Sequence, residues 1–181
     1  MTLPKLMRLS YMDWKHFRLA GVALLAVYGL VCLRTPNSGR LLDGVDLAVH
    51  ETGHIVFSPF GEIMTALGGT LFQLIIPLTF AVYFWRRQDR YAAGFALWWV
   101  AQNLWNISVY VRDARALELP LLGGGEHDWA FLLGEAGWLN RDIALGQAIH
   151  ALGVAIYLVA IGLSGVAAAR AQSAEPAEAT A

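Results

Sequence analysis

The chain has 181 residues, 57% of them hydrophobic and 15% charged, against roughly 45–50% apolar and roughly 25% charged in a soluble domain. Thirteen basic and fourteen acidic residues leave a net charge of -1, which excludes a polyanion-binding field and with it nucleic acid as a partner. The lone cysteine, Cys32, excludes an internal disulfide framework and a zinc-ribbon pattern. Seven tryptophans, eight phenylalanines and six tyrosines suit a protein with two water–lipid boundaries.

A spanning helix needs about 20 mostly apolar residues, because about 30 Å of hydrocarbon is crossed at about 1.5 Å per residue. The first such segment runs from Phe17 to Leu33, behind a basic and aromatic approach of Lys5, Arg8, Tyr11, Trp14, Lys15 and Arg18. Its Leu30-Val31-Cys32 stretch lacks the small residues of a cleavage site, so it reads as a retained anchor. Next comes Leu41 to Phe57, apolar but interrupted by Asp43, Asp46, His50, Glu51 and His54. About 14 helical residues reach only about 21 Å, too short to cross, and Ser58-Pro59-Phe60-Gly61 stops the helix.

Three further spans follow, Ile63 to Trp85, Tyr91 to Val111 and Ile143 to Ala169. Thr65-Ala66-Leu67-Gly68-Gly69-Thr70 has small side chains that allow close helix approach, and Pro77 is expected to bend its span. Gln73 reads either as a donor into a site or as a bond to a neighbouring helix. Residues 171–181 are expected to form a disordered tail behind a single membrane domain over residues 1–170.

The charges favour one topology. The basic amino terminus, the Arg86-Arg87-Gln88-Asp89-Arg90 loop and Arg170 all fall inside if Leu41 to Phe57 dips in and returns. The expected fold is an all-α membrane bundle of four full spans plus a short re-entrant or partly inserted helix. The alternative, five spans, forces the three-arginine loop outside. The N-terminus is then cytoplasmic and the Arg112 to Asp142 loop lies outside.

The partly inserted helix carries the chemistry. His50-Glu51-Thr52-Gly53-His54 is a His-Glu-x-x-His pattern. Residues four apart share one helix face, so both imidazoles can converge on one ion, with Glu51 about 100° away beside a water on it. Neutral imidazoles suit zinc, and a carboxylate there can take the water's proton and pass it to a leaving amine. Such groups are costly in apolar surroundings unless coordinated, paired or wet. Asp46, one turn earlier, reads as a partner orienting an imidazole or as a carboxylate near the helix start.

A third ligand has to come from elsewhere. Gly123-Gly124-Gly125-Glu126-His127-Asp128-Trp129 offers His127 as the first candidate, with Asp128 as orienting partner or substitute ligand. Asp113 is second, at the end of a polar face formed by Asn103, Asn106 and Tyr110. His150 is third, and its expected role is a bundle histidine with a hydrogen-bond partner. Trp98, Trp99 and Trp105 read as packing or lipid-facing bulk.

At His50-Glu51-Thr52-Gly53-His54 the sequence resembles the site-2-protease type of intramembrane zinc metallopeptidase, which also has glycine before the second histidine. The resemblance implies zinc held by His50 and His54, Glu51 as catalytic base, and cleavage of peptide bonds in or near the bilayer. That family's third ligand is an aspartate within an Asn-x-x-Pro and Asp-Gly context. The nearest counterpart here, Asn106 through Asp113, has no proline, and Ala114 replaces the glycine. Close similarity covers about ten residues; the remainder looks like a bacterial membrane-protein group, hence an expected location in the bacterial inner membrane. The leading expectation is a membrane zinc peptidase acting on a membrane protein or peptide. The alternative is a non-catalytic subunit docking other membrane subunits, with a structural metal or histidine cluster. Five scattered histidines are too few for a di-iron membrane oxygenase.

Overall fold

The computed structural model describes residues 5–36, 38–119 and 126–171, with side chains from Trp14 onward. The chain is all-helical, with no strand among the described residues. The described residues form six α-helices in order: α1 Lys5–Arg34, α2 Leu41–Phe57, α3 Glu62–Arg86, α4 Arg90–Arg112, α5 Asp128–Glu135 and α6 Asp142–Arg170. Single 3₁₀ turns, Ser58–Phe60 and Leu139–Arg141, precede α3 and α6. The 171–181 tail, apart from Ala171, and the Gly123-Gly124-Gly125 run lie outside the described residues, as do the side chains of Lys5, Arg8 and Tyr11.

Trp14–Arg34, Glu62–Arg86 and Leu139–Arg170 are long and apolar enough to cross a membrane, which fits a membrane protein. The segment expected from Tyr91 to Val111 is helical as α4 but is not among these three. Gln102, Asn103, Asn106 and Ser108 lower the hydropathy of α4, and more than half of the helix is buried, with Gln102, Asn103 and Ser108 packed inside the bundle.

Around α4 the register is set by long side chains bonding across to backbone. Tyr91 Oη donates to the Arg18 carbonyl at 3.1 Å and Trp98 Nε1 to the Leu25 carbonyl at 3.0 Å, so α1 runs parallel to α4. On α6, Ser164 donates to the Tyr91 carbonyl at 3.2 Å, and Gly153 packs on Trp105 further along, so α6 runs antiparallel. Tyr157 closes the third side by donating to the Ala26 carbonyl at 2.7 Å. Arg18, the α3–α4 turn and the end of α6 therefore share one end of the bundle; Arg112, α5 and the start of α6 share the other. At that second end Arg115 grips Asp142 through two nitrogens, at 2.7 and 2.8 Å.

Helix α2 folds back against the first half of α3. Asp43 accepts from the Arg40 backbone N–H at 2.9 Å and closes its amino end. The expected stop is present: Ser58–Phe60 tightens to a 3₁₀ turn and Gly61, at φ 95°, starts α3. Gly53 and Gly68 bring the two backbones together; a Cβ at 53 would run into the Gly68 carbonyl oxygen. The small-residue run on α3 thus fulfils the close-approach role expected of it. Helix α3 continues through Pro77, which is buried, without interruption.

Candidate metal centre

One turn of α2 presents His50, Glu51 and His54 so that one ligand atom of each lies within 4.8 Å of the others. The two rings stand nearly perpendicular, 84° apart, with centroids separated by 4.7 Å. His50 is buried, His54 half-buried, and Glu51 exposed into a cavity of about 1060 Å³. Walls of that cavity come from α2, from α3 at Thr65, Ala66, Thr70 and Gln73, from α4 at Asn106 and Tyr110, and from α5 at Asp128 and Phe131.

Neighbouring acceptors orient both rings. His54 Nδ1 lies 2.8 Å from the Thr65 carbonyl, which only accepts, so Nδ1 carries the hydrogen and Nε2 offers a lone pair. His50 Nδ1 lies 3.3 Å from Gln73 Oε1, giving the same arrangement. Gln73 therefore serves the site, and the orienting role considered for Asp46 falls to it. Asp46, 1% exposed, instead accepts from Trp99 Nε1 at 2.8 Å.

Both Nε2 atoms face a single carboxylate oxygen. Asp128 Oδ2 lies 3.0 Å from His50 Nε2 and 3.4 Å from His54 Nε2. Two tetrahedral bonds of about 2.0–2.1 Å place their ligand atoms about 3.3–3.4 Å apart. Two imidazole nitrogens and a carboxylate oxygen are a fitting donor set for zinc, and a protonated His50 would instead donate to Asp128 across the 3.0 Å contact.

Packing of α5 puts Asp128 there. Trp129 Nε1 donates to Thr70 Oγ1 at 3.2 Å, and Leu133 is buried with Ile107, Val111 and Ala114. Asp128 and Phe131, three apart, then share the cavity side. His127 stands just outside the helix. Its Nδ1 accepts from the Ala130 backbone N–H at 3.2 Å, capping α5, and its Nε2 lies 3.3 Å from Asp113 Oδ2. Its ring packs against Tyr110, with centroids 4.1 Å apart and the planes tilted by 31°. His127 thus stands behind the centre, its Nδ1 taken up by the cap and its buried Nε2 without a hydrogen-bond partner, while its neighbour Asp128 faces both imidazoles.

Asp113 is turned to the loop. Oδ1 accepts from the Glu118 N–H at 3.0 Å and Oδ2 from the Leu119 N–H at 3.1 Å. His150 lies on α6 with Nδ1 3.5 Å from Ser108 Oγ, the bundle contact expected of it. The polar face of Asn103, Asn106 and Tyr110 does turn inward: Asn103 is fully buried, and Asn106 and Tyr110 line the cavity. Trp98 and Trp105 are buried packing residues, as expected.

Two supporting contacts are testable. A Cβ at Gly69 would lie 2.6 Å from His50 Nε2 and Cε1, so Gly69→Ala is expected to push the ring aside and weaken zinc binding by about tenfold or more, at about 1–3 kcal/mol in stability. Titration with zinc and thermal melting would measure both. Gln73→Leu leaves His50 Nδ1–H without its acceptor and is expected to lower zinc affinity by about 10- to 100-fold with little change in folding. An unaltered affinity would show that Gln73 serves only the packing of α3.

No family model matches the chain, and no curated protein or solved structure is significantly similar to it.

Proposed function

We propose that the chain is a membrane-embedded zinc metallopeptidase in which His50, His54 and Asp128 hold the metal and Glu51 is the catalytic base. The observation that carries this reading is the meeting of two oriented imidazole lone pairs with one carboxylate oxygen at 3.0 and 3.4 Å, beside an exposed Glu51 in a large cavity. Bound there, zinc would act as a Lewis acid toward a peptide carbonyl and lower the pKa of a coordinated water. Glu51 takes the proton of the attacking water and delivers it to the departing amine. Tyr110 lines the same cavity, within reach of the Asp128 backbone, and its hydroxyl can donate to the carbonyl oxygen as charge develops there. Gln73 and the Thr65 carbonyl keep the ligating nitrogens facing the centre.

In the bilayer, α1, α3, α4 and α6 are the four full spans, and α2 is the partly inserted helix. The shared end bearing Arg18, Arg86, Arg87, Arg90 and Arg170 faces the cytoplasm by the positive-inside rule. Val45, Ile55 and Val56 are exposed along α2 and give the partly inserted helix an apolar outer face toward the lipid. A helical substrate would unwind locally, because its own hydrogen bonds shield its peptide bonds.

The test is to strip the purified, detergent-solubilised protein of metal, restore zinc, and follow cleavage of a set of quenched fluorogenic peptides. Hydrolysis that disappears with the metal and returns with zinc is expected. Stoichiometric zinc with no cleavage would replace the peptidase by a structural metal site in a non-catalytic membrane subunit.

A further inference from the structure

We infer that Asp46, Gln102 and Asn103 hold an alkali-metal cation between α2 and α4, at a site separate from the zinc centre. Asp43 and Asp46 share the buried face of α2, and Trp99, Gln102 and Asn103 meet them from α4. Side chains join the two helices there. Trp99 Nε1 donates to Asp46 Oδ1 at 2.8 Å, and Gln102 Nε2 donates to Asp43 Oδ1 at 3.2 Å. Asn103 Nδ2 donates to the Trp99 carbonyl at 3.0 Å, and both amide side chains flank the Asp46 carboxyl. Asp46 is 1% exposed, Gln102 2% and Asn103 0%.

These bonds leave acceptors over. Asp46 Oδ2, Gln102 Oε1 and Asn103 Oδ1 are buried and have no hydrogen-bond partner among the described residues. Both amide nitrogens are committed to oxygens, so turning either amide over would only set oxygen against oxygen. The charge is equally one-sided. Asp43 is answered by Arg40, whose backbone N–H bonds to Oδ2 at 2.9 Å and whose Nη1 lies 3.7 Å from it. Asp46 makes no ion pair with a described residue, and a buried carboxylate without a counter-charge is costly. A water brings two hydrogens to three acceptors and no charge. A proton on Asp46 Oδ2 serves one amide oxygen and leaves the other. A monovalent cation takes all three oxygens and cancels the one unpaired charge, and an all-oxygen donor set suits a hard ion. Zinc is drawn instead to the imidazoles of His50 and His54.

Uptake of radiolabelled sodium, and of rubidium in potassium's place, by the purified protein in detergent tests this, with choline chloride keeping the ionic strength constant. Saturable uptake of one ion per chain is expected in one of the two salts, with a higher melting temperature there than in choline chloride. The same uptake is expected before and after zinc is removed by chelation, which separates this site from His50 and His54. Asp46→Asn keeps the side-chain volume and should abolish uptake. Gln102→Leu and Asn103→Leu should each weaken it by about tenfold or more, because affinity follows the charge and number of the ligands. Glu62→Gln, which neutralises an exposed carboxylate of the large cavity, should leave uptake intact. Circular dichroism and elution as a single species establish the fold of each variant, and none of these readouts depends on peptide cleavage. No saturable uptake of either ion, or uptake that survives Asp46→Asn, would overturn the inference. Equal melting in all three salts, with Asp46→Asn more stable than the unaltered protein, would also overturn it and make Asp46 a protonated acid.

Discussion

Glu51→Gln is expected to leave one zinc bound per chain while lowering peptide hydrolysis by about 10²- to 10⁴-fold, the usual contribution of a positioned general base. The substitution keeps the size and polarity of the side chain and removes only its capacity to take a proton. Glu51 is exposed to the cavity and is not needed to hold the helix together, so folding should be unaffected. Metal content and melting temperature, measured on the same preparation as the cleavage rate, separate loss of chemistry from loss of structure. Cleavage at the original rate with zinc still bound would eliminate Glu51 as the base.

Asp128→Ala carries the second large effect. It removes the oxygen that lies 3.0 and 3.4 Å from the two imidazole nitrogens, and zinc affinity is expected to fall by more than about 100-fold, beyond what loss of an orienting partner costs. His127→Asn is the matching control. Asparagine is a strong N-cap residue, so the first turn of α5 keeps its cap while the imidazole disappears. Zinc affinity within a few-fold of the unaltered protein is expected for His127→Asn. The opposite pattern, with zinc lost on His127→Asn and kept on Asp128→Ala, would move the third ligand to His127.

The contrast between these two neighbours shows where sequence stops being informative. His50, Glu51 and His54 are legible because one helical turn fixes their mutual placement, whatever the rest of the chain does. The third ligand depends on where α5 begins, and a run ending in Glu126-His127-Asp128-Trp129 leaves that open. Aspartate is a favoured cap, so the bare sequence allows Asp128 to be spent on the helix and His127 to reach the metal. In the fold His127 caps, packs on Tyr110 and lies by Asp113, and Asp128 faces the two imidazoles, because Trp129 and Leu133 dock α5 on Thr70 and on Ile107 and Val111. A signal was present in the three-residue spacing of Asp128 and Phe131, which puts them on one side of a helix that also carries Trp129, Ala130, Leu132 and Leu133.

Similar physics explains α4. The spacing of Asn103, Asn106 and Tyr110 announces an inward polar face, of which Asn103 is buried and Asn106 and Tyr110 line the cavity. Hydropathy cannot say that the helix bearing it is enclosed by α1, α3 and α6, since enclosure depends on long-range contacts such as Trp98 with Leu25 and Gly94 with Ser164. Gln73 was ambiguous for the same reason: its side chain acquires a role only when Gly53, Gly68 and Gly69 let α2 approach α3 closely enough for His50 to meet it.

X-ray absorption at the zinc edge of the purified protein tests the centre most directly. Two imidazole nitrogens with oxygen ligands at about 2.0–2.2 Å are predicted, in a pattern that loses an oxygen contribution in Asp128→Ala and is unchanged in His127→Asn. Three imidazoles around the metal, or a protein that takes up no zinc at all, would contradict it.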